Sequence, residues 1–266
     1  MDLEDVEHLT AGRTADVRIA GLSKVYAGGV AAMADVDLTI ASGEFVAVVG
    51  ASGCGKSTLL RILAGFERPS AGVVEVGGTA VTGPGPDRGV VFQDYGLFPW
   101  LSVRENVAYG PSRKKLPKAE VAAVTDRFIA AVGLTRFAGR YPAQLSGGMQ
   151  QRVAIARVLA NDPSLLLMDE PFGALDALTR ADLQAELKRI HVDTRTTVVF
   201  VTHSIEEAVY LADRVVVMTG GASHGVPGSI RRIVPVDLAD RDVTSPAFNA
   251  VKREIAELVH TAPAPV

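Results

Sequence analysis

The sequence predicts an α/β fold with a mixed sheet and a helical subdomain inserted into its middle, on three observations. Short apolar runs alternate with glycine-containing turns from Val17 to about Val49, the pattern of strands. Two later runs, residues 164–169 and 197–202, are too apolar to have a wet face, as expected of central parallel strands. Between Asp94 and Leu145 the periodicity turns helical, with Val121, Val124, Phe128 and Ala131 on one stripe behind Pro117, a residue that a helix start tolerates.

Taken in order, residues 1–15 are polar and aperiodic and are expected to form a loose leader. VRIAGL, VDLTI and EFVAVVG read as strands, the last running straight into a glycine-rich loop. Residues 56–64 read as a helix, and 73–81 and 89–93 as strands on either side of the turn-rich GPGPDRG. Helices are expected over 149–159 and about 177–192. The tail holds a VVVM strand, a glycine-rich turn at 220–228 and a helix over 245–260, whose Phe248, Val251, Ile255 and Leu258 form a stripe expected to pack on its own domain.

At 266 residues the chain can bury a sizeable core. It is 48% hydrophobic and 21% charged, and no run of eighteen apolar residues offers a membrane span. The acidic start, MDLEDVEHLT, lacks the basic-then-apolar order of a secretory signal, so a cytoplasmic location is expected. A single cysteine, Cys54, excludes an internal disulfide and a multi-cysteine zinc site. A net charge of -3 gives no reason to expect nucleic acid as a partner.

Gly50, Ala51, Ser52, Gly53, Cys54, Gly55, Lys56 and Ser57 fit G-x-x-x-x-G-K-[ST] between a strand and a helix. Loop N–H groups can wrap phosphates, Lys56 can reach the terminal ones, and the Ser57 hydroxyl can ligate magnesium. Downstream, LLLMDE ends a buried strand in two carboxylates, at the edge where open α/β sheets hold ligands. Asp169 suits the magnesium, directly or through water, and Glu170 the attacking water as general base. His203 follows the apolar run TTVVFVT at the same edge and can hydrogen-bond the γ-phosphate or the water. Gln93, ending GVVFQ, is a neutral group able to sense both. The other histidines read as structural. In LSGGMQQR, Ser146, Gly147 and Gly148 precede a helix and offer a second phosphate cradle. About ninety residues separate the cradles, which points to sites completed between two chains.

The set resembles the ATP-binding subunit of ABC transporters: Walker A at 50–57, Q-loop Gln93, signature LSGGMQQR, Walker B LLLMDE, the D-loop GALD ending at Asp176, and switch His203. The resemblance implies a P-loop NTPase (ABC ATPase) core spanning 16–240. It also implies an N-terminal antiparallel β-subdomain, helices inserted over about 94–160, and a helical tail over 241–266. ATP and Mg²⁺ are the implied cofactors, with Thr58 beside the loop and Tyr26 where the family stacks an aromatic ring on adenine. Ser57, Gln93 and Asp169 are the implied metal residues. Two copies would pair head to tail, Ser146 to Gly148 of one closing on the γ-phosphate bound by the other.

Membrane-spanning permease subunits are the other implied partners, with a solute-binding protein acting indirectly, at the cytoplasmic face of the inner membrane. Tyr95, Leu97, Phe98, Pro99, Trp100 and Leu101 are read as the partner contact, burial within the helical subdomain being the other reading. The stretch 83–110 and the tail VTSPAFNAVKREI look like the branch serving nitrate, sulfonate and taurine. Other readings are an ATPase of a different substrate class or direction, and a non-transport ABC ATPase. No coiled-coil run, second cassette or zinc cysteines mark the latter. GGASHGVPG is longer than that branch leads one to expect, and the basic run 113–118 reads as a solvated loop.

Placed inside the loop, Cys54 is expected to block ATP binding when alkylated, with ATP protecting it. Because Ser146 to Gly148 act on a neighbour's nucleotide in this reading, ATP hydrolysis should rise more steeply than in proportion to subunit concentration. Strict proportionality in a dilution series would sink the two-chain site.

Overall fold

A computed structural model of the chain describes residues 14–173, 175–221 and 225–261. The predicted leader lies outside them except for Thr14 and Ala15. Ala15 is 9% exposed, and its carbonyl accepts a 2.7 Å hydrogen bond from Thr197 Oγ1, so the chain is anchored before its first strand.

Among the described residues ten strands form one sheet: β1 (Val17–Val25), β2 (Ala31–Ile40), β3 (Phe45–Gly50), β4 (Ala71–Val76), β5 (Thr79–Ala80), β6 (Arg88–Val91), β7 (Leu165–Asp169), β8 (Thr197–Val201), β9 (Arg214–Gly221) and β10 (Val226–Pro235). Their order is β5-β4-β1-β2-β10-β9-β3-β8-β7-β6. β1 pairs antiparallel with β2 and β4, giving the N-terminal part its antiparallel character. β9, β3, β8, β7 and β6 pair parallel in succession. The two regions meet where Gly228 of β10 pairs with Met33 of β2.

Alternation along the buried parallel strands builds a core on each face. Phe45, Ala47, Val49, Leu166, Met168, Val198 and Phe200 face one cluster, and Val46, Val48, Leu165, Leu167, Val199 and Val201 the other. The second face is covered by α1 (Lys56–Leu63), through Leu59, Leu60, Ile62 and Leu63. The first receives the inserted helices α2 (Val103–Arg113), α3 (Lys118–Ala131) and α4 (Gly147–Leu159), through Val103, Val107, Ile129, Val153 and Ile155. α5 (Ala177–Thr194), α6 (Ile205–Leu211) and α7 (Pro246–His260) complete that layer.

Several expectations change. α2 had no place in the sequence reading, although Ser102 and Glu105 form a full capping box at its start. β6 ends at Val91, so Gln93 lies in the following turn and does not end the strand. The expected turn at 220–228 is largely strand: β9 runs to Gly221 and β10 starts at Val226, with 222–224 outside the described residues. The basic run keeps its exposed, solvated character, although Arg113 ends α2 and stacks over Tyr109 and Lys114 Nζ donates to the Asn161 carbonyl.

The α7 stripe packs as expected, with Phe248 and Ile255 fully buried and Val251 and Leu258 against the same cluster. Arg241 fixes the approach to it by donating to the carbonyls of Val209, Ala212 and Val236. Phe248→Ala should lower unfolding free energy by about 3–5 kcal/mol, the cost of emptying a packed aromatic site. Denaturant titration checks this, and a loss under ~1 kcal/mol would show that α7 is not docked.

Candidate nucleotide site

Strand register assembles the site. Asp169 of β7 stands opposite Val201 of β8, and Val48 of β3 opposite the same Val201. The C-terminal ends of three neighbouring strands therefore open on one edge, the edge where open α/β sheets bind ligands. From it emerge the phosphate loop, the pair Asp169–Glu170 and the segment leading to His203.

The loop is held by backbone geometry. Gly55 caps α1 at φ 99, a conformation that disfavours a side chain. A Cβ on Gly50 would lie 2.5 Å from the Met218 carbonyl oxygen. Lys56 is 5% exposed, and its Nζ donates to the carbonyls of Gly50 at 2.8 Å and Ala51 at 3.0 Å, which fixes the cation at the centre of the loop. Ser57 Oγ donates to Asp169 Oδ1 at 3.3 Å. Tyr26 Oη lies 3.3 Å from Thr58 Oγ1, and Lys24 Nζ sits 4.9 Å over the tyrosine ring.

A pocket of about 220 Å³ is lined by Ala32, Ser52, Gly53, Gly55, Lys56, Ser57, Thr58, Glu170 and His203. Glu170, the residue just after β7, has φ 47, in the left-handed region. Its Oε1 lies 2.5 Å from His203 Nε2. A carboxylate and an imidazole thus face a buried cation and a hydroxyl-lined loop, a set suited to binding a polyphosphate and taking a proton from water. The donors also suit magnesium. It takes few protein ligands and keeps its waters, and Ser57 and Asp169 supply one hydroxyl and one carboxylate side by side. Among the described residues no group of three or more His, Cys, Asp or Glu is poised for a metal.

Other predicted residues stand apart from this pocket. Ser146, Gly147, Gly148, Asp176 and Gln93 do not line it. Ser146 caps α4, accepting from Met149 N at 3.3 Å, and Asp176 caps α5, accepting from Thr179 N at 3.0 Å. Those bonds to Thr179 hold the Asp176 carboxyl below its ordinary pKa. Ser146 and Gly147 are exposed, but Gly148 is buried: a Cβ there would lie 2.3 Å from Thr179 Cγ2. Gln93 Nε2 instead lies near Gly173. Tyr95, at φ 61, is held by Arg157, which donates to the carbonyls of Tyr95 and Gly96. Of the aromatic cluster, Trp100 is 70% exposed, while Tyr95 and Leu97 pack on the core.

Cys54 does not suit the alkylation expected of it. Its thiol is fully buried in the apolar cluster under the loop, and burial pushes its pKa up. It is therefore a poor thiolate and a poor alkylation target. Ala32 is a lining residue that the motifs missed, because β2 reaches the loop only in three dimensions.

The profile of the ABC transporter family matches residues 33–173. The chain belongs to that family. It is similar to an uncharacterised ABC transporter ATP-binding protein of Methanocaldococcus jannaschii, 50% identical over 91% of both chains. It is 49% identical to the bicarbonate transport ATP-binding protein CmpD of Synechocystis, over 86% of this chain and 83% of that one. With the taurine import ATP-binding protein TauB of Roseobacter denitrificans it shares 45%, over 86% and 87%. A solved dimeric ATP-binding cassette in a post-hydrolysis state, bound to ADP and Pi, superposes with a TM-score of 0.71 at 33% identity, covering 84% of this chain and 99% of that one. Within the ABC family this chain is an ATP-binding, ATP-hydrolysing cassette. No helix among the described residues is long and apolar enough to cross a membrane.

The β9–β10 hairpin presses on the phosphate loop from behind. A Cβ on Gly228 would lie 1.9 Å from the Cys54 carbonyl oxygen, and one on Gly221 2.5 Å from that of Gly53. Gly220 is equally tight but against Pro227, within the hairpin. Gly228→Ala should therefore weaken ATP binding by about tenfold or more, near 1.4 kcal/mol, while Gly220→Ala costs stability with little change in affinity. Equal affinity losses in equilibrium binding would contradict the contact.

Proposed function

We propose that this ATPase drives import of a small anion, working as a head-to-tail dimer on permease subunits at the cytoplasmic face of the inner membrane. The observation that carries the catalytic part is the Glu170–His203 pair, 2.5 Å apart in the same pocket as Lys56 and Ser57. Lys56 and the loop N–H groups bind the phosphates, with Tyr26 and Thr58 flanking the loop. Glu170 accepts the proton of the attacking water. His203 Nε2 orients that carboxylate and can reach the γ-phosphate. Ser57 and Asp169 would hold magnesium, with Gln93 reporting on it, and the ion would neutralise charge at the phosphates.

Ser146, Gly147 and Gly148 lie outside their own chain's pocket, so in this reading they serve the nucleotide of the partner, with Asp176 beside them. Hydrogen bonds to charged groups contribute about 1.5–3 kcal/mol each, so a few at each of two sites shift an open pair to a closed one. Hydrolysis removes that advantage. The exposed Trp100 beside Phe98 suits contact with permease subunits. Bicarbonate and taurine are the cargoes named for two relatives, and the nitrate, sulfonate and taurine likeness of residues 83–110 agrees with a small anion.

Glu170→Gln should keep ATP affinity and lower turnover by roughly a hundredfold or more, as expected for loss of a general base. Turnover within a few-fold of the parent would remove Glu170 from that role. Cargo is tested by deleting the gene and measuring uptake of bicarbonate, nitrate and taurine. Undiminished uptake of all three would overturn the anion assignment.

A further inference from the structure

His203 is flanked by Thr202, whose hydroxyl bonds one buried carboxylate, and by Ser204, which bonds that hydroxyl and the backbone of the same acidic residue. Glu207, 7% exposed, accepts a 2.5 Å hydrogen bond from Thr202 Oγ1. Thr202 Oγ1 in turn accepts from Ser204 N at 3.0 Å, and Ser204 Oγ accepts from Glu207 N at 3.2 Å. The three bonds close a ring of residues around the histidine backbone. From the other side Arg180 approaches: its Nε is 3.7 Å from Glu207 Oε1, and its Nη2 donates to the Leu175 carbonyl at 2.9 Å. Leu175 belongs to the segment running to Asp176, which caps α5.

We propose that Glu207 is a positioning residue for His203, and that Arg180 links it to the Leu175–Asp176 segment, so that displacement of that segment reaches the histidine within one subunit. Glu207 is far too buried to meet nucleotide itself, and it does not line the pocket. A buried carboxylate needs partners, and here they include the Thr202 hydroxyl next to His203, the Gln184 side chain and the arginine that holds Leu175. Cutting the Thr202 bond frees the backbone that aims the imidazole at Glu170. The loops and Lys56, which bind the phosphates, are untouched by that cut.

This inference rests on His203 acting in hydrolysis, as proposed above. The test measures ATPase kcat and KM for Glu207→Ala, Glu207→Gln and Thr202→Val, each alone and combined with His203→Ala. Thr202→Val keeps the shape and puts a methyl in place of the hydroxyl, which guards against a misfolded Glu207→Ala. Expected results are a kcat loss of about tenfold or more for Glu207→Ala and Thr202→Val, the scale for groups that orient a functional side chain, with KM for ATP within about twofold and Glu207→Gln partly restored. In the His203→Ala background neither change should lower kcat further, because groups acting as one unit are not additive. Equal losses in both backgrounds, or a loss carried by KM, would overturn the proposal. If His203→Ala alone leaves kcat unchanged, the role of His203 fails. If His203→Ala abolishes turnover while Thr202→Val and Glu207→Ala do not affect it, only the positioning inference fails.

Discussion

The architecture depends on one steric constraint: there is no space behind the phosphate loop. Gly50 abuts the backbone of Met218 on β9, Gly55 the Ala32 carbonyl on β2, and Gly228 and Gly221 press on Cys54 and Gly53 from the hairpin. Interiors packed at crystal-like density pass such contacts on without compression. The loop therefore has one position relative to β2, β9 and β10. Those strands are also where the antiparallel and parallel regions of the sheet join, through Gly228 and Met33. Nucleotide affinity and the junction between the two regions are thus one packing problem.

That constraint explains which parts of the site were legible in the sequence. The central strands were, because burial on both faces leaves an uninterrupted apolar run, and so were the loop and the acids at their ends. β10 was not: its burial alternates irregularly, with Arg231 and Arg232 inside it and Gly228 at a position that only packing against another backbone explains. Three of the glycines that make 220–228 read as a turn, Gly220, Gly221 and Gly228, are there for close approach. Cys54 misled for a related reason. A motif places a residue in the loop but does not say which way it points, and this one points into the core.

Helix starts tell a similar story. Ser146 and Asp176 are caps, which local sequence announces, and both lie where nucleotide motifs had been read. α2 carries as clear a cap in Ser102 and Glu105, but Pro111 in its last turn and its weak apolar stripe hide it. Its buried Asn106 binds the backbone of Phe98, Leu101 and Ser102, so the exposed aromatic segment is ordered from a helix that periodicity alone does not find.

Gly148 shows how a residue can answer to two demands at once. Its lack of a side chain suits an anion cradle, yet the atom it makes room for within the chain is the Thr179 methyl of α5. Arg152 ties the same two helices by its 3.1 Å pair with Glu186, a carboxyl that burial pushes up and the nearby arginines draw down. The start of α4 therefore moves with the start of α5. Asp176 caps α5 and Arg180 grips Leu175, so a force on Ser146 bears on α5 and, through Arg180, on Glu207 beside His203. In the head-to-tail dimer proposed above, Ser146 would be loaded by the partner's nucleotide. On that proposal the signature of one chain would do more than close a neighbour's site: contacts through α5 join it to the histidine of its own chain.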